Sequence, residues 1–157
     1  MAEVALRALG EADMDAVFAQ MRDPESVRMA AFTADDPDDR VAFDAQRARI
    51  AVWPGVQERA ITLDGVFVGT IATFVQDGET ELTYWVDRAF WGRDIAGRAV
   101  KLMLDEVRTR PIVARAAADN AGSLRVLAKN GFVVVGTETG FAIARREEIE
   151  ECVLRLE

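Results

Sequence analysis

Residues 81–97 read Glu-Leu-Thr-Tyr-Trp-Val-Asp-Arg-Ala-Phe-Trp-Gly-Arg-Asp-Ile-Ala-Gly and predict a strand that passes through a turn into a helix. Aromatic and β-branched residues fill the first part, up to Val86, as is typical of a strand. Gly92 marks the turn, and apolar residues at helical spacing begin at Ile95. Free N–H groups at such a helix start can bind phosphate oxygens, helped by the helix dipole. The stretch therefore predicts an anion site, with a purely structural turn as the alternative.

A second segment, residues 119–132, reads Asp-Asn-Ala-Gly-Ser-Leu-Arg-Val-Leu-Ala-Lys-Asn-Gly-Phe. Polar Asn120 and Ser123 lie where a short helix begins, and Gly131 suits the left-handed cap at its end. By itself the segment predicts a capped helix, which can be purely structural.

The remaining pattern predicts one α/β domain over residues 1–157, with the element order βααβββαβαββ. Strands are expected at 3–8, 58–63, 66–75, 79–86, 112–117, 132–143 and 150–156, and helices at about 14–21, 38–52, 95–108 and 120–130. Asp23-Pro24 is expected to end the helix at 14–21, and Asp64-Gly65 and Asp77-Gly78 favour tight hairpin turns. A crossover helix between strands requires a parallel pair, so we expect a mixed, mostly antiparallel sheet with helices on both faces.

Composition excludes several classes of function. The net charge of −8 without a basic block argues against nucleic-acid binding, and no apolar run is long enough to span a membrane. The chain has no histidine and only one cysteine, Cys152, which excludes Ser–His or Cys–His nucleophiles, disulfides within the chain and zinc sites. We therefore expect a cytoplasmic protein without a bound metal.

The acidic stretch at 33–39, Thr-Ala-Asp-Asp-Pro-Asp-Asp, has two interpretations. Asp is favoured at a helix N-terminus, so the stretch can be a solvated loop that starts the helix at 38–52. Alternatively, it forms a lip that attracts a cationic substrate.

The two segments together resemble the GNAT superfamily of N-acetyltransferases, particularly the branch similar to the ribosomal-protein alanine N-acetyltransferases RimJ and RimL. The resemblance rests on the Tyr84-Trp85 strand end, the Trp91-Gly92 turn with Ile95-Ala96, and the Asn120, Ser123 and Lys129-x-Gly131-Phe132 pattern, in this order. Leu6-Arg7-Ala-Leu9 and Asp13 also resemble that branch, so the likeness covers nearly the whole chain.

The resemblance implies an enzyme that transfers an acetyl group from acetyl-CoA, its cosubstrate, to a primary amine by direct attack in a ternary complex. The implied contacts are Trp85 and Val86 with the pantetheine arm, the turn with the pyrophosphate, and Asn120 with the pantetheine or a water molecule. The turn comprises Trp91, Gly92, Arg93, Asp94, Ile95, Ala96 and Gly97. A backbone N–H near Val86 would polarise the thioester carbonyl.

The implied catalytic groups are Glu81 and Ser123. Glu81 is the candidate base because an attacking amine must lose a proton, and a solvent-facing strand residue is its alternative. Ser123 is the candidate proton donor to the leaving thiolate, and a hydroxyl that satisfies backbone donors is its alternative. The tyrosine acid of many relatives would fall at Leu127, and we interpret the only tyrosine, Tyr84, as a packing residue.

Asp94 departs from the family pattern because it replaces the second glycine of the phosphate turn. Its carboxylate would repel a pyrophosphate or could cap the helix, although Arg93 and Arg98 could offset the repulsion. The alternative function is therefore a weakly active or inactive GNAT-fold domain that senses a ligand or acts as a scaffold. The acceptor is expected to be a protein N-terminus or a small amine, and exposed C-terminal strands could support a homodimer.

Overall fold

The computed structural model describes residues 2–157 as a seven-stranded sheet with helices on both faces. The strands are β1 (Val4–Ala8), β2 (Gln57–Leu63), β3 (Val66–Gln76), β4 (Glu79–Val86), β5 (Ile112–Ala117), β6 (Val133–Ala142) and β7 (Glu147–Leu156). The helices are α1 (Met14–Met21), α2 (Pro24–Ala30), α3 (Arg40–Ala51), α4 (Ile95–Glu106) and α5 (Ala121–Lys129).

The strands lie in the order β1-β2-β3-β4-β5-β7-β6. The β4–β5 pair is parallel, and the other five pairs between described strands are antiparallel. This confirms the mixed, mostly antiparallel sheet. The crossover through α4 makes β4 and β5 parallel, as expected for a strand–helix–strand unit. β7 returns between β5 and β6, which brings the end of the chain into the centre of this half of the sheet.

The local turn chemistry explains the meander of β2, β3 and β4. Both residues of Asp64-Gly65 and of Asp77-Gly78 have positive φ, which is the backbone conformation that two-residue hairpins require. The predicted strands and turns of this region are confirmed.

One helix is additional to the predicted order. The Asp23-Pro24 pair ends α1, as predicted, but it also begins α2. The Asp23 carboxylate accepts a hydrogen bond from the Ser26 N–H at 3.0 Å, and proline at the first helical position suits the fixed φ of its ring. The order along the chain is therefore βαααβββαβαββ. β7 also begins at Glu147 rather than at 150.

The core lies between the sheet and the pair α4–α5. Ile71, Leu82, Ile112 and Leu154 project from the strands and pack against buried residues of the two helices, which include Ile95, Val100, Met103 and Leu127. We call this side the α4–α5 face. Alternate strand residues project to the opposite side, the α1–α3 face, where Arg47 of α3 forms an ion pair with Glu58 of β2.

β6 is one of the two edge strands of the sheet, and its Val133, Val134, Val135 and Phe141 are exposed. This is the surface through which the sequence suggests a homodimer. None of the five helices between residues 2 and 157 combines the length and the apolar composition that a bilayer crossing requires.

Candidate active site

The parallel strands β4 and β5 separate before either of them ends. Their pairing joins Thr80–Leu82 to Ile112–Ala114, whereas β4 continues to Val86 and β5 to Ala117. The last part of β4 therefore has β3 on one side and a gap on the other. Backbone groups that face the gap are available to a ligand that lies between the two strands.

The alternation of β4 decides which backbone groups face the gap. The Asp87 N–H donates to the Val68 carbonyl of β3 at 2.8 Å, and the Trp85 carbonyl is packed against Gly69 of β3. Since alternate residues of a strand point their N–H and C=O to opposite sides, Tyr84 and Val86 face the gap. Of the expected pair Trp85 and Val86, only Val86 therefore presents its backbone there. The Val86 carbonyl accepts a hydrogen bond from the Trp91 indole at 2.9 Å.

The turn between β4 and α4 presents a row of open N–H groups. None of the N–H groups of residues 92–97 donates to an acceptor within residues 2–157, and the first helical bond runs from the Arg98 N–H to the Asp94 carbonyl at 3.1 Å. Gly92 and Asp94 both have left-handed φ, 82° and 57°. Left-handed residues within such a turn direct successive N–H groups into one concavity, which favours anions. The helix dipole adds to this preference.

The Asp94 side chain does not cap α4. It makes no hydrogen bond to the backbone N–H groups, and its Oδ1 lies 3.2 Å from Nζ of Lys129 at the end of α5. The carboxylate rests over Gly97, where a Cβ would lie 2.3 Å from the same oxygen. Glycine at 97 therefore permits this position, and the N–H groups stay open despite the nearby carboxylate.

The two arginines that could offset the Asp94 charge are directed elsewhere. The Arg98 guanidinium donates to backbone carbonyls of Ala2, at 2.9 Å, and of Arg93, at 3.2 Å. The Arg93 guanidinium stacks over the Phe90 ring at 5.4 Å from its centroid. The cation that compensates Asp94 is therefore Lys129, a pair that the sequence pattern did not predict.

Asn120 and Ser123 meet at the start of α5. The Asn120 Oδ1 accepts from the Ser123 N–H at 3.2 Å and so caps the helix. The Ser123 Oγ lies 2.5 Å from the Tyr84 hydroxyl rather than bonding to backbone donors. Burial raises the pKa of the Tyr84 phenol, and its hydrogen bond with Ser123 acts in the opposite direction.

Three carboxylates surround one guanidinium on the α1–α3 face. Arg115 Nε lies 3.0 Å from Glu81, and its Nη1 lies 2.8 Å from Glu138 and 3.8 Å from Glu151. Burial raises the pKa of Glu151, and the positive charge of Arg115 only partly opposes this effect. A carboxylate whose pKa is raised is a stronger base, so Glu151 becomes a second candidate beside Glu81.

A single cavity of about 1170 Å³ joins these features through the gap between β4 and β5. Its α4–α5 side includes Gly92, Ala96 and Ser123. Its α1–α3 side is lined by large apolar side chains and by charged residues, among them the carboxylates of Glu81 and Glu151. The apolar side chains are Phe18, Met21, Met29, Phe32, Phe43, Ile50 and Phe74, and the other charged residues are Asp36, Asp39, Arg47, Arg49 and Arg115. Part of the 33–39 stretch borders the cavity, and Asp39 caps α3, so both interpretations of that stretch have a structural counterpart.

Most of the residues singled out from the sequence line this cavity: Glu81, Trp85, Val86, Trp91, Gly92, Asp94, Ile95, Ala96, Asn120 and Ser123. Arg93 and Gly97 contribute backbone to the turn but do not line it. Sequence reasoning missed Glu151 and assigned Tyr84 to packing. Tyr84 alternates with core residues Leu82 and Val86, which could have indicated that it faces α5.

The family profile described as "Acetyltransferase (GNAT) domain" matches residues 3–133. The chain belongs to the GNAT acetyltransferase family. The match spans the gap, the open turn and α5, which together form one half of the cavity. A comparison with curated protein sequences found no match.

Solved structures share the fold at low sequence identity. RimJ of Mycobacterium smegmatis, in complex with CoA-disulfide, matches with a TM-score of 0.80 and 23% identity over 98% of this chain and 81% of its own. A ribosomal-protein-alanine N-acetyltransferase from Brucella melitensis matches with a TM-score of 0.75 and 20% identity, over 97% of this chain and 98% of its own. YncA of Salmonella typhimurium, a putative acetyltransferase solved with its cofactor acetyl-CoA, matches with a TM-score of 0.73 and 21% identity, over 99% of this chain and 94% of its own. At these identities the likeness shows the fold.

Proposed function

We propose that the protein transfers an acetyl group from acetyl-CoA to a primary amine that carries an apolar group. The observation that carries this proposal is the row of open N–H groups at residues 92–97, which lies beside the gap between β4 and β5. A diphosphate suits the N–H groups, and an extended amide-containing arm suits the gap. Both parts belong to CoA, so the residues present fit this cosubstrate.

When bound, acetyl-CoA supplies an acetyl group activated as a thioester. In the proposed complex, the N–H groups of residues 92–97 hold the diphosphate, and the Val86 N–H donates toward the gap. The Trp91 indole N–H donates to the Val86 carbonyl, and this hydrogen bond fixes the end of β4. The Val86 N–H is then the backbone group of this residue that is free to bind a ligand. A preorganised donor of this kind contributes about 3 kcal/mol of transition-state stabilisation.

The amine is proposed to enter from the α1–α3 face, where Glu81 and Glu151 lie in the cavity. Their negative charges attract an ammonium group, and one of them must then take its proton before the nitrogen can attack. The Glu81 Oε1 is already bonded to Arg115, whereas Glu151 is farther from that guanidinium. We therefore extend the proposed base from Glu81 alone to the pair, with Glu151 as the proton acceptor.

The apolar lining of this side defines the acceptor class. Phe18 and Phe43 contact each other with ring centroids 5.1 Å apart, and Phe74 also lines the cavity. Burying an aromatic group of the acceptor there contributes about 1.5–3 kcal/mol. The acceptor is thus a small amine or a peptide N-terminus with an apolar group next to the nitrogen.

Release of free thiol from acetyl-CoA, measured with matched amines, tests this function. We expect 2-phenylethylamine to exceed ethanolamine by about 10- to 100-fold in kcat/KM, because only the phenyl group gains from the apolar wall. Peptides with apolar and polar first residues form the second matched pair. Acetyl-CoA binding without turnover of any amine would favour the sensing or scaffold function instead.

Removing the charge of Asp94 is expected to tighten CoA binding. Asp94→Asn keeps a residue that tolerates left-handed φ but removes one like charge, which is worth about 1 kcal/mol at 4 Å in water, or about fivefold in affinity. Asp94→Gly should give at least the same gain. Calorimetric titration with acetyl-CoA measures both, and an unchanged affinity of the Asn variant would show that the diphosphate does not lie near this carboxylate.

Glu151→Gln is expected to lower kcat by about 10²- to 10⁴-fold with little change in acetyl-CoA affinity. Because burial raises the pKa of Glu151, wild-type activity should fall as the pH drops through that pKa. Only the deprotonated carboxylate accepts a proton. This acidic limb of the kcat/KM profile should disappear in the variant.

Glu150→Gln is the matched control, because Glu150 is an exposed neighbour in β7 that does not line the cavity. It should leave the profile intact. If Glu81 is the base instead, Glu81→Gln will remove the limb and Glu151→Gln will retain it. An unchanged profile in both variants would exclude the pair.

A further inference from the structure

The hydroxyl groups of Tyr84 and Ser123 form a pair inside the cavity, across the boundary between β4 and α5. The Tyr84 oxygen lies 2.5 Å from the Ser123 Oγ, and both residues line the cavity. Tyr84 is partly buried and packs against the main core, which holds its ring in place. Ser123 is fixed from the other side, because its N–H donates to Asn120.

The chemistry of the two hydroxyls decides the direction of their hydrogen bond. A phenol, with a pKa of about 10, is a far stronger acid than an aliphatic alcohol and is therefore the better donor. Burial also raises the pKa of Tyr84, which keeps the phenol protonated. With Tyr84 as donor, the Ser123 oxygen accepts, and the proton of Ser123 must point elsewhere. Ser123 lines the cavity, and its Oγ has no hydrogen-bond partner besides Tyr84 within residues 2–157, so the cavity is the open direction.

We propose that Tyr84 is a positioning residue that aims the Ser123 hydroxyl proton at the departing sulfur. This inference rests on the proposed acetyl transfer. In that reaction the C–N bond forms, the C–S bond breaks with its electron pair on sulfur, and the amine proton passes to the carboxylate pair. The Ser123 O–H donates a hydrogen bond to the new thiolate. Neither hydroxyl loses its proton, since a thiol of pKa about 8.5 is more acidic than both.

The first test needs no substrate, because Tyr84 is the only tyrosine in the chain. The near-ultraviolet absorbance of tyrosinate therefore reports this residue alone. We expect wild-type Tyr84 to titrate above the ordinary value of about 10, and Ser123→Ala to raise its pKa further, because tyrosinate loses a hydrogen-bond donor. A Tyr84 pKa that does not respond to Ser123→Ala would show that the pair is not formed and would overturn the proposal.

The second test is a double-mutant cycle on kcat. We expect Tyr84→Phe and Ser123→Ala each to lower kcat by about tenfold, with acetyl-CoA affinity nearly unchanged. Because Tyr84 acts through Ser123, the double variant should be no slower than Ser123→Ala alone. Effects that multiply, or a Tyr84→Phe variant as fast as wild type, would contradict the positioning role. Thermal melting of each variant controls for loss of folding.

The two tests separate this inference from the proposed function. A wild-type protein that releases no thiol with any amine contradicts the proposed function, whereas the absorbance titration still decides whether the pair exists. If the wild-type protein is active but the effects of Tyr84→Phe and Ser123→Ala on kcat multiply in the double variant, the inference is contradicted and the proposed function is not.

Discussion

Replacing Ala96 with Asp is expected to weaken acetyl-CoA binding strongly while leaving the fold intact. Ala96 lies in the first turn of α4 and lines the cavity, so a carboxylate there would lie on the N–H groups that the diphosphate needs. Each like-charge pair at about 4 Å costs about 1 kcal/mol in water and about 4 kcal/mol at an effective dielectric constant of 20. The expected loss of affinity is therefore about 5- to 1000-fold.

The fold should tolerate this change because acidic residues in the first turn of a helix are stabilised by about 0.3–1 kcal/mol. Ala96→Asn is the matched control, since it has the same shape without the charge. Calorimetric titration of both variants, with thermal melting of each, isolates the electrostatic effect. If the Asp variant binds acetyl-CoA as tightly as the Asn variant, no anion lies at this helix start.

Gly69→Ala is expected to destabilise the protein strongly, because the end of β4 leaves no room for a side chain there. A Cβ on residue 69 would lie 2.2 Å from the Trp85 carbonyl oxygen and 3.1 Å from the Val86 Cα. Both are backbone atoms of a buried strand pair, so neither can rotate away. Overpacking of this kind costs about 3 kcal/mol or more, which corresponds to a fall in melting temperature of roughly 6–12 °C.

The control for this prediction is Gly136→Ala in β6, where an added Cβ meets no atom within 4 Å. That variant should melt within a few degrees of wild type, or slightly higher, because alanine restricts the unfolded chain. Chemical denaturation of both variants measures the difference in unfolding free energy. Equal stability of the two would mean that β3 and β4 do not approach as closely as described, and the backbone at Val86 would lose its defined position.

The sequence predicted the elements whose signals are local. The hairpin turns at Asp64-Gly65 and Asp77-Gly78 require positive φ, and the dipeptides themselves carry that signal. Helix α2 was missed because Asp23-Pro24 was interpreted only as the end of α1, although an Asp cap followed by proline also starts a helix. The first residues of β7 were missed because Glu147 and Glu148 interrupt the alternation of apolar residues.

The residues of the site could be predicted only where they lie in one continuous segment of the sequence. The turn at 92–97 and the start of α5 are continuous segments, so their residues could be named from the pattern alone. Glu151 could not, because it approaches Glu81 and Arg115 only when β7 inserts between β5 and β6. The side-chain directions of Asp94, toward Lys129, and of Arg98, toward backbone carbonyls, likewise depend on tertiary contacts.

The most direct measurement follows the backbone amide NMR signals of residues 92–97 while CoA is added to the isotope-labelled protein. We expect these signals to shift saturably with CoA, whereas pantetheine, which lacks the diphosphate, should move the Val86 signal without moving theirs. Saturable binding of CoA that leaves residues 92–97 unmoved, or no binding at all, would contradict the claim that these N–H groups hold the diphosphate.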